Sequence, residues 1–433
     1  MIDQTTIDKV IDTAKIEEVV GEEVDLRKRG VNLLGLCPFH NEKTPSFTVS
    51  PAKGIFKCFG CGEAGDSVGF MMKYHRINFL DAIKQLANKY HIEVEEEEET
   101  PEAAQRRKDR EARQLILTWT QGYYHQELKK MQDASDHPKF QPFLHQWGIS
   151  SDIIDTFKIG LSLSQGDTLV KAIASKGYKK EIVEATALTV SDGQNSKDFF
   201  RNHIIFPILT VAGRVAGFSG IKINEMDSSY GFSMLPESPS FQPEKEILGI
   251  YQAKGDILKK KGCHLTMHPL EMIYLHRNQL HNSVSIPRNL LSGPHIKQIV
   301  RFSNNITLWS GDDIASIMET YNRISKLIHE GVSVRVVDIN TPHLVSYLQE
   351  QRISSFEEHV AQAKDWLFYL VKTMYKNKEE LGLDNSSVFM KIIQVIHVIP
   401  DAIVKGVYVT ELSKHINLPE DMIWGELQNM GTI

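Results

Sequence analysis

At 433 residues, with a net charge of −6 and four cysteines, the chain is too long for one ordinary core and too poor in cysteine for a disulfide-stapled secreted scaffold. Its first residues, with Asp3, Asp8 and Asp12, are polar and acidic, without the apolar core of a signal peptide, and no uncharged apolar run is long enough to cross a bilayer. Composition therefore argues against a membrane and for the cytoplasm, a reducing compartment in which paired cysteines hold metal rather than form disulfides. About three or four domains are expected.

Ile7, Val10, Ile11 and Ala14 recur at helical spacing and predict an opening amphipathic helix. Short β patterns follow over 31–34, 46–49 and 54–57. Turn residues such as Thr44-Pro45 and Ser50-Pro51 divide them, which predicts a small antiparallel sheet. Within it stand Cys37-x-x-His40 and, after seventeen intervening residues, Cys58-x-x-Cys61. Three thiolates and an imidazole in two close pairs suit one tetrahedral Zn²⁺ in a closed structural site, with no open position for water chemistry. Pro38 stiffens the first knuckle, while Gly60 and Gly62 let the second turn tightly. Cys263 stands apart and reads as a small buried hydrophobe beside a strand.

Residues 68–90 read as two helices packed on the sheet. Between residues 26 and 90 there are ten Lys or Arg against four acids, a local charge of +6 within an acidic chain. Such a module suits a polyanion partner; a merely solvated charged surface accounts for the same asymmetry. The stretch 95–113, with the glutamate run 95–99 and Pro101, predicts a mobile or helical linker, and a helix is expected from 115 to about 131. Beta-rich runs dominate over 203–211 and 214–223, with Ala212-Gly213 as a hairpin turn. From about 247 to 337 helices and strands alternate, which predicts an α/β unit with a parallel sheet. Residues 356–430 read as a small helical bundle.

The segment Leu36-Cys37-Pro38-Phe39-His40-Asn41-Glu42-Lys43-Thr44-Pro45-Ser46-Phe47, with Phe56-Lys57-Cys58-Phe59-Gly60-Cys61-Gly62, resembles the zinc-binding domain of bacterial DnaG-type primases. Phe200-Arg201-Asn202-His203 and Gly213-Arg214-Val215-Ala216-Gly217-Phe218-Ser219-Gly220 resemble the start of that family's polymerase core, and Gly249-Ile250-Tyr251-Gln252-Ala253 the entry to its TOPRIM domain. The resemblance implies a multidomain α+β and α/β fold. A zinc-ribbon-like module with helices would occupy 1–94 and a charged linker 95–114. The mixed α/β primase core would place its N-terminal subdomain at 115–246, a degenerate TOPRIM domain with a parallel sheet at 247–345, and a helical subdomain at 346–433. The family continues into a helicase-binding domain that these residues do not contain.

The family joins ribonucleotides into an RNA primer on single-stranded DNA, and its zinc domain helps select the start site. Resemblance therefore implies a single-stranded DNA template as partner, with a replicative helicase or a second primase as further partners. Lys43, Lys57 and Arg76 would contact phosphates, and Phe47 and Phe56 would offer faces to bases, although strand alternation also allows those two rings to be core. Arg201 and Asn202 match the core motif and would hold a template phosphate.

Nucleotidyl transfer needs Mg²⁺ or Mn²⁺ held by clustered carboxylates at strand ends. The family's first such Glu falls at Met267. The first Asp of its Asp-x-Asp falls at Ser310 while the second survives as Asp312, and a later pair finds only Asp338-Ile339-Asn340. The basic groups decay in parallel: the Lys-bearing stretch reads Tyr230-Gly231-Phe232-Ser233, the Ser-Gly-Thr turn reads Pro287-Arg288-Asn289, and the Arg after the Gly-Phe-x-Gly motif is Ile221. A thioether does not bind Mg²⁺ usefully, and losing several charge-stabilising groups together should nearly abolish catalysis. Glu271, Asp312 and Asp313 are the residual catalytic candidates around which a metal site would have to be rebuilt. His264, His268, His276 and His281 fit no compact ligand set. The expected function is DNA binding in replication by a primase homologue with weak or lost catalysis. An active primase with a rebuilt site and an accessory subunit of a complete primase are the alternatives.

Overall fold

A computed structural model describes residues 2, 4–94, 100–133, 144–145, 147–191, 195–223, 232–287, 290–339, 341, 347 and 358–431. The glutamate run 95–99, residues 230–231, residues 288–289 and Asn340, all singled out above, lie outside them.

The N-terminal unit opens with α1 (Gln4–Thr13) and α2 (Ile16–Gly21). Five strands follow as an antiparallel meander in sequence order: β1 (Arg27–Arg29), β2 (Asn32–Gly35), β3 (Phe47–Ser50), β4 (Ile55–Cys58) and β5 (Ala64–Gly65). β1 is absent from the predicted elements because Arg-Lys-Arg carries no apolar alternation; its three exposed charges blunt the sheet's edge. Helices α3 (Ser67–Tyr74) and α4 (Phe79–Lys89) start where Asp66 and Asn78 accept from backbone N–H groups of Gly69 and Asp81. Phe47, Val49, Phe56, Phe70, Ile83 and Leu86 are fully buried between helices and sheet.

Helix α5 (Pro101–Asp133) is a single 33-residue rod. The charged stretch expected as a linker is thus continuous with the helix whose Ile116, Leu117, Tyr124 and Leu128 are buried in the next core. That core is completed by α6 (Ser151–Phe157), β6 (Gly160–Ser162), α7 (Thr168–Ala174), α8 (Lys180–Glu184), the hairpin β7 (Thr189–Ser191)–β8 (Ser196–Asp198), β9 (His203–Leu209), β10 (Val215–Lys222) and β11 (Phe232–Met234). Strands β11-β10-β9-β6 form an antiparallel sheet in that order. The expected hairpin turn is present between β9 and β10, with Gly213 at φ +85° and its N–H donating to Thr210 O.

The alternating region is α9 (Ile250–Lys260), β12 (Cys263–Thr266), α10 (Pro269–Arg277), β13 (Ser283–Ser285), α11 (Gly293–Val300), β14 (Asn305–Ser310), α12 (Ile314–His329) and β15 (Ser333–Asp338). Strands β13-β12-β14-β15 are parallel, and an antiparallel β16 (Lys364–Asp365) closes the β15 edge. Arg323 of α12, 1% exposed, pairs with Glu319 at 2.9 Å and donates to the carbonyls of Thr266, Ile286 and Pro287. It fastens α12 to the carboxyl ends of β12 and β13.

The C-terminal helices α13 (Trp366–Lys376), α14 (Asn385–His397), α15 (Ala402–Ile416) and α16 (Glu420–Asn429) pack on one another, as expected, and also on the parallel-sheet unit. Trp366, Leu370, Ile392, Ile396, Leu412 and Ile423 join one apolar cluster with Leu308, Val336 and Ile324 of the parallel sheet and α12. Their apolar faces are completed by the sheet, so both parts share a core.

Two histidines of this region are buried as neutral side chains. His276 Nε2–H donates to Ser283 O at 2.8 Å, and Trp309 Nε1–H donates to His264 Nδ1 at 3.3 Å. Burial pushes both imidazoles down to about 4. Because the folded value lies below the unfolded one, this contribution to stability is present above pH 6.5 and is lost as pH falls from there toward 4. Each histidine accounts for about 3 kcal/mol across that window. The urea midpoint is therefore expected to fall steeply below pH 6, and His264→Met to make that acid limb shallower.

Candidate metal centre and nucleic-acid interface

Cys37 ends the β2 arm, Cys58 ends β4, and His40 and Cys61 lie in the turns beyond them. All four ligand atoms lie within 4.8 Å of one another, and among the described residues this is the one group of three or more His, Cys, Asp or Glu so arranged. Cys37 Sγ and Cys61 Sγ are 3.8 Å apart, as are Cys58 Sγ and His40 Nδ1. A tetrahedron with Zn–S bonds of about 2.3 Å has sulfur–sulfur edges of about 3.8 Å, so the donor set fits structural zinc.

The surroundings fit as well. Despite desolvation by burial, the Cys58 thiol is pulled down to about 6 by the Ser46 hydroxyl and the N–H groups of Cys61 and Gly60. Phe39 N–H donates likewise to Cys37 Sγ at 3.4 Å. Glu42 accepts from Cys37 N–H at 2.7 Å and from Ser46, and its Oε2 lies 3.4 Å from His40 Nε2. That carboxylate orients the ring whose Nδ1 faces the thiolates. Gly60 is required by space rather than by turn geometry, since a Cβ there would stand 2.7 Å from His40 Nε2.

Cys58 faces inward, and the period-2 alternation of β4 follows from it. Phe56, two residues earlier, faces inward too, whereas Ile55 and Lys57 face out. Phe47 and Phe56 are therefore corrected here: both rings are fully buried, stacked 5.2 Å apart and joined by Phe39 and Phe70, with no face free for a base. On the outer side of the zinc-bearing strand Phe59 does reach solvent, 71% exposed, with Lys57 Nζ 5.4 Å above its ring. The sequence reading missed it, although the ligand Cys58 already dictates which neighbours point away from the metal.

Register places Lys57 in one cross-strand row with Thr48, Leu34 and Arg27, while Arg29 stands two rows further along opposite Asn32. Arg27 and Arg29 are exposed and were not among the residues chosen from sequence. Lys43 is exposed in the knuckle loop. Arg76 is exposed after α3, off the sheet, at φ +54°. Arg201 is exposed with its Cδ against Gly166, while Asn202, half-buried at φ +60°, is tied by backbone bonds to Leu163 and Ile223.

The catalytic candidates are placed differently. Glu271 closes a capping box on α10, accepting from Met267 N–H at 2.9 Å and His268 N–H at 3.1 Å. Asp313 is the N-cap of α12 and accepts from Ser316 N–H at 2.9 Å. Asp312 is exposed. Ser310, fully buried, shares neutral hydrogen bonds with Tyr369 Oη at 2.7 Å and Thr320 Oγ1 at 3.0 Å. Asp338 pairs with Lys372 at 3.1 Å. Two of the three candidate carboxylates thus serve as helix caps, and among the described residues they form no three-carboxylate cage for Mg²⁺ or Mn²⁺.

Residues 2–102 match the CHC2 zinc finger family and residues 123–254 match the N-terminal domain of the DNA primase catalytic core. A DNA primase of Staphylococcus epidermidis is 30% identical over 387 residues, covering 87% of this chain and 63% of the relative. One from Synechococcus elongatus is 28% identical, covering 96% and 61%. The chain thus spans about six-tenths of the length of these curated relatives. The crystal structure of the Aquifex aeolicus primase zinc-binding and RNA polymerase domains superposes with a TM-score of 0.63 at 24% identity, covering 96% of this chain and 98% of that one. A DnaG primase catalytic domain solved with single-stranded DNA bound superposes at 0.60 and 18% identity, covering 71% and 99%. No described helix is long and apolar enough to cross a membrane.

Chelation is expected to remove protection from hydrogen exchange over 2–94 while the cores from α5 onward, apart from the segment of α9 that faces the module, keep theirs, because the metal's binding energy belongs to the folding of this module. Gly60→Ala should lower zinc affinity at least tenfold in a competitive chelator titration, as it drives a methyl group into His40.

Proposed function

We propose that this chain, which is similar to the bacterial DnaG-type DNA primases in its CHC2 zinc finger and in the N-terminal domain of a primase catalytic core, acts in DNA replication chiefly by binding single-stranded DNA, with primer synthesis weak or lost. The observation that carries the reading is a contrast. The zinc module presents Arg27, Arg29, Lys57 and Phe59 on one exposed sheet face, whereas the carboxylates of the parallel-sheet domain are replaced, paired or used as caps.

The face suits a flexible strand. Cations spaced along the sheet neutralise successive phosphates, and an exposed ring accepts an unpaired base by stacking without reading its identity. Lys43 and Arg201, both exposed, are assigned further phosphate contacts. Zinc supplies no chemistry here: it is a closed structural ion that fixes which side of β4 faces outward.

Fluorescence anisotropy with a labelled single strand tests this. Phe59→Ala is expected to weaken binding about tenfold, corresponding to one lost stack. Lys57→Ala should weaken it and lessen the salt dependence by about one counterion. Phe56→Ala should instead lower the thermal stability of the module. Primer synthesis with Mg²⁺ or Mn²⁺ should be at background and unchanged in Asp312→Ala; robust synthesis abolished by that substitution would establish an active enzyme with a rebuilt site. Binding that is indifferent to Phe59 and Lys57 would remove the sheet face from the proposal.

A further inference from the structure

The zinc module is not simply tethered to the core. Its helix α1 and its β3–β4 turn lie against the β9–β10 turn, α9 and the end of α11, enclosing a cavity of about 310 Å³ lined by Asp12, Lys15 and Ala52 on one side and Tyr251, Lys254 and Arg301 on the other. One turn back along α1, Arg214 Nη2 of the core meets Asp8 Oδ2 at 2.8 Å. Lys254 Nζ is held 2.8 Å from Val211 O and 4.8 Å from the Tyr251 ring centroid, which fixes its charge at the cavity wall.

We infer that Asp8 and Asp12 of α1, set against Arg214, Lys254 and Arg301, form an ionic latch that docks the zinc module on its own core. The charges suit the role. Burial raises the Asp12 carboxyl while Arg301, Arg214 and Lys254 pull it back, and burial lowers Lys254 and Arg301 while Asp12 supports them. Glu246 of the core adds a further carboxylate, pushed up to about 7 by burial and by Asp12. Removing one partner from such a cluster leaves buried charge uncompensated, so the latch holds only as a set. Docking leaves the outer sheet face open: Lys57 and Phe59 remain exposed with the module in place. The module and core thus present a strand with one fixed surface rather than two tethered ones.

A disulfide trap reads the docked state directly. A Cβ added at Gly255 of α9 would stand 3.5 Å from the Cβ of Ala52, within the span of a disulfide. In the zinc-loaded full chain, Ala52→Cys with Gly255→Cys is expected to cross-link rapidly under mild oxidation, identified by peptide mapping. Adding Asp12→Lys or Arg301→Glu should slow that reaction at least fivefold. Asp8→Arg should slow it too, and pairing that change with Arg214→Asp should recover at least half of the lost rate. Absence of the cross-link would overturn docking. An unchanged rate in the reversed-charge backgrounds, or a swap that recovers nothing, would overturn the ionic origin. Hydrogen exchange over 250–258 in chains without added cysteines provides a second measurement: it should quicken in Asp12→Lys, and no change would overturn the latch. No DNA enters either assay, so the latch succeeds or fails separately from strand binding.

Discussion

Everything useful on the N-terminal module follows from four donors being forced to converge on one point. With Cys58 committed to the metal at the end of β4, the strand has no choice of face, because alternate residues must point to opposite sides. Phe56 and its partner Phe47 are thereby driven into the aromatic core, and Lys57 and Phe59 out into solvent. Backbone N–H groups, Ser46 and Glu42 hold thiolates and imidazole in place, so the ion, the sheet register and the outer surface are parts of one constraint.

The polar groups of the parallel-sheet domain serve the fold. Its described strands and helices share one apolar cluster, and Ser310 at the end of β14 is buried and bonded to neutral hydroxyls. The acids nearby satisfy N–H groups at helix starts, a purely structural use. Arg323, wholly buried with Glu319, binds the carbonyl ends of two strands and makes that end of the sheet a packed and hydrogen-bonded region. A buried pair of this kind adds little net stability, but removing either partner strands a charge.

Shared cores also decide how the chain is divided. Helix α5 carries its charge pattern from beside the zinc module into the next core without a break, and the C-terminal helices complete the parallel sheet as well as one another. Charge acts at longer range: acids of α1 meet cations of three separate core elements, joining regions that composition alone would treat as a basic module and an acidic remainder.

Local chemistry was legible in the sequence. Ligand spacing announced the zinc site, the helical spacing of Ile7, Val10, Ile11 and Ala14 announced α1, and the β–α alternation of 247–337 announced the parallel sheet, because each of these is dictated by neighbours within a few residues. What no local pattern carries was decided by the tertiary structure. The strand Arg27–Arg29 has no apolar signal and exists because β2 offers it an edge to pair with. Phe56 and Phe59 are the same residue type three positions apart, and the direction of Cys58 toward the metal separates core from surface. Asp12 is an ordinary helix acid until Lys254 and Arg301, more than two hundred residues away, are folded against it. Burial and long-range charge depend on what arrives across space, and a one-dimensional string does not contain that.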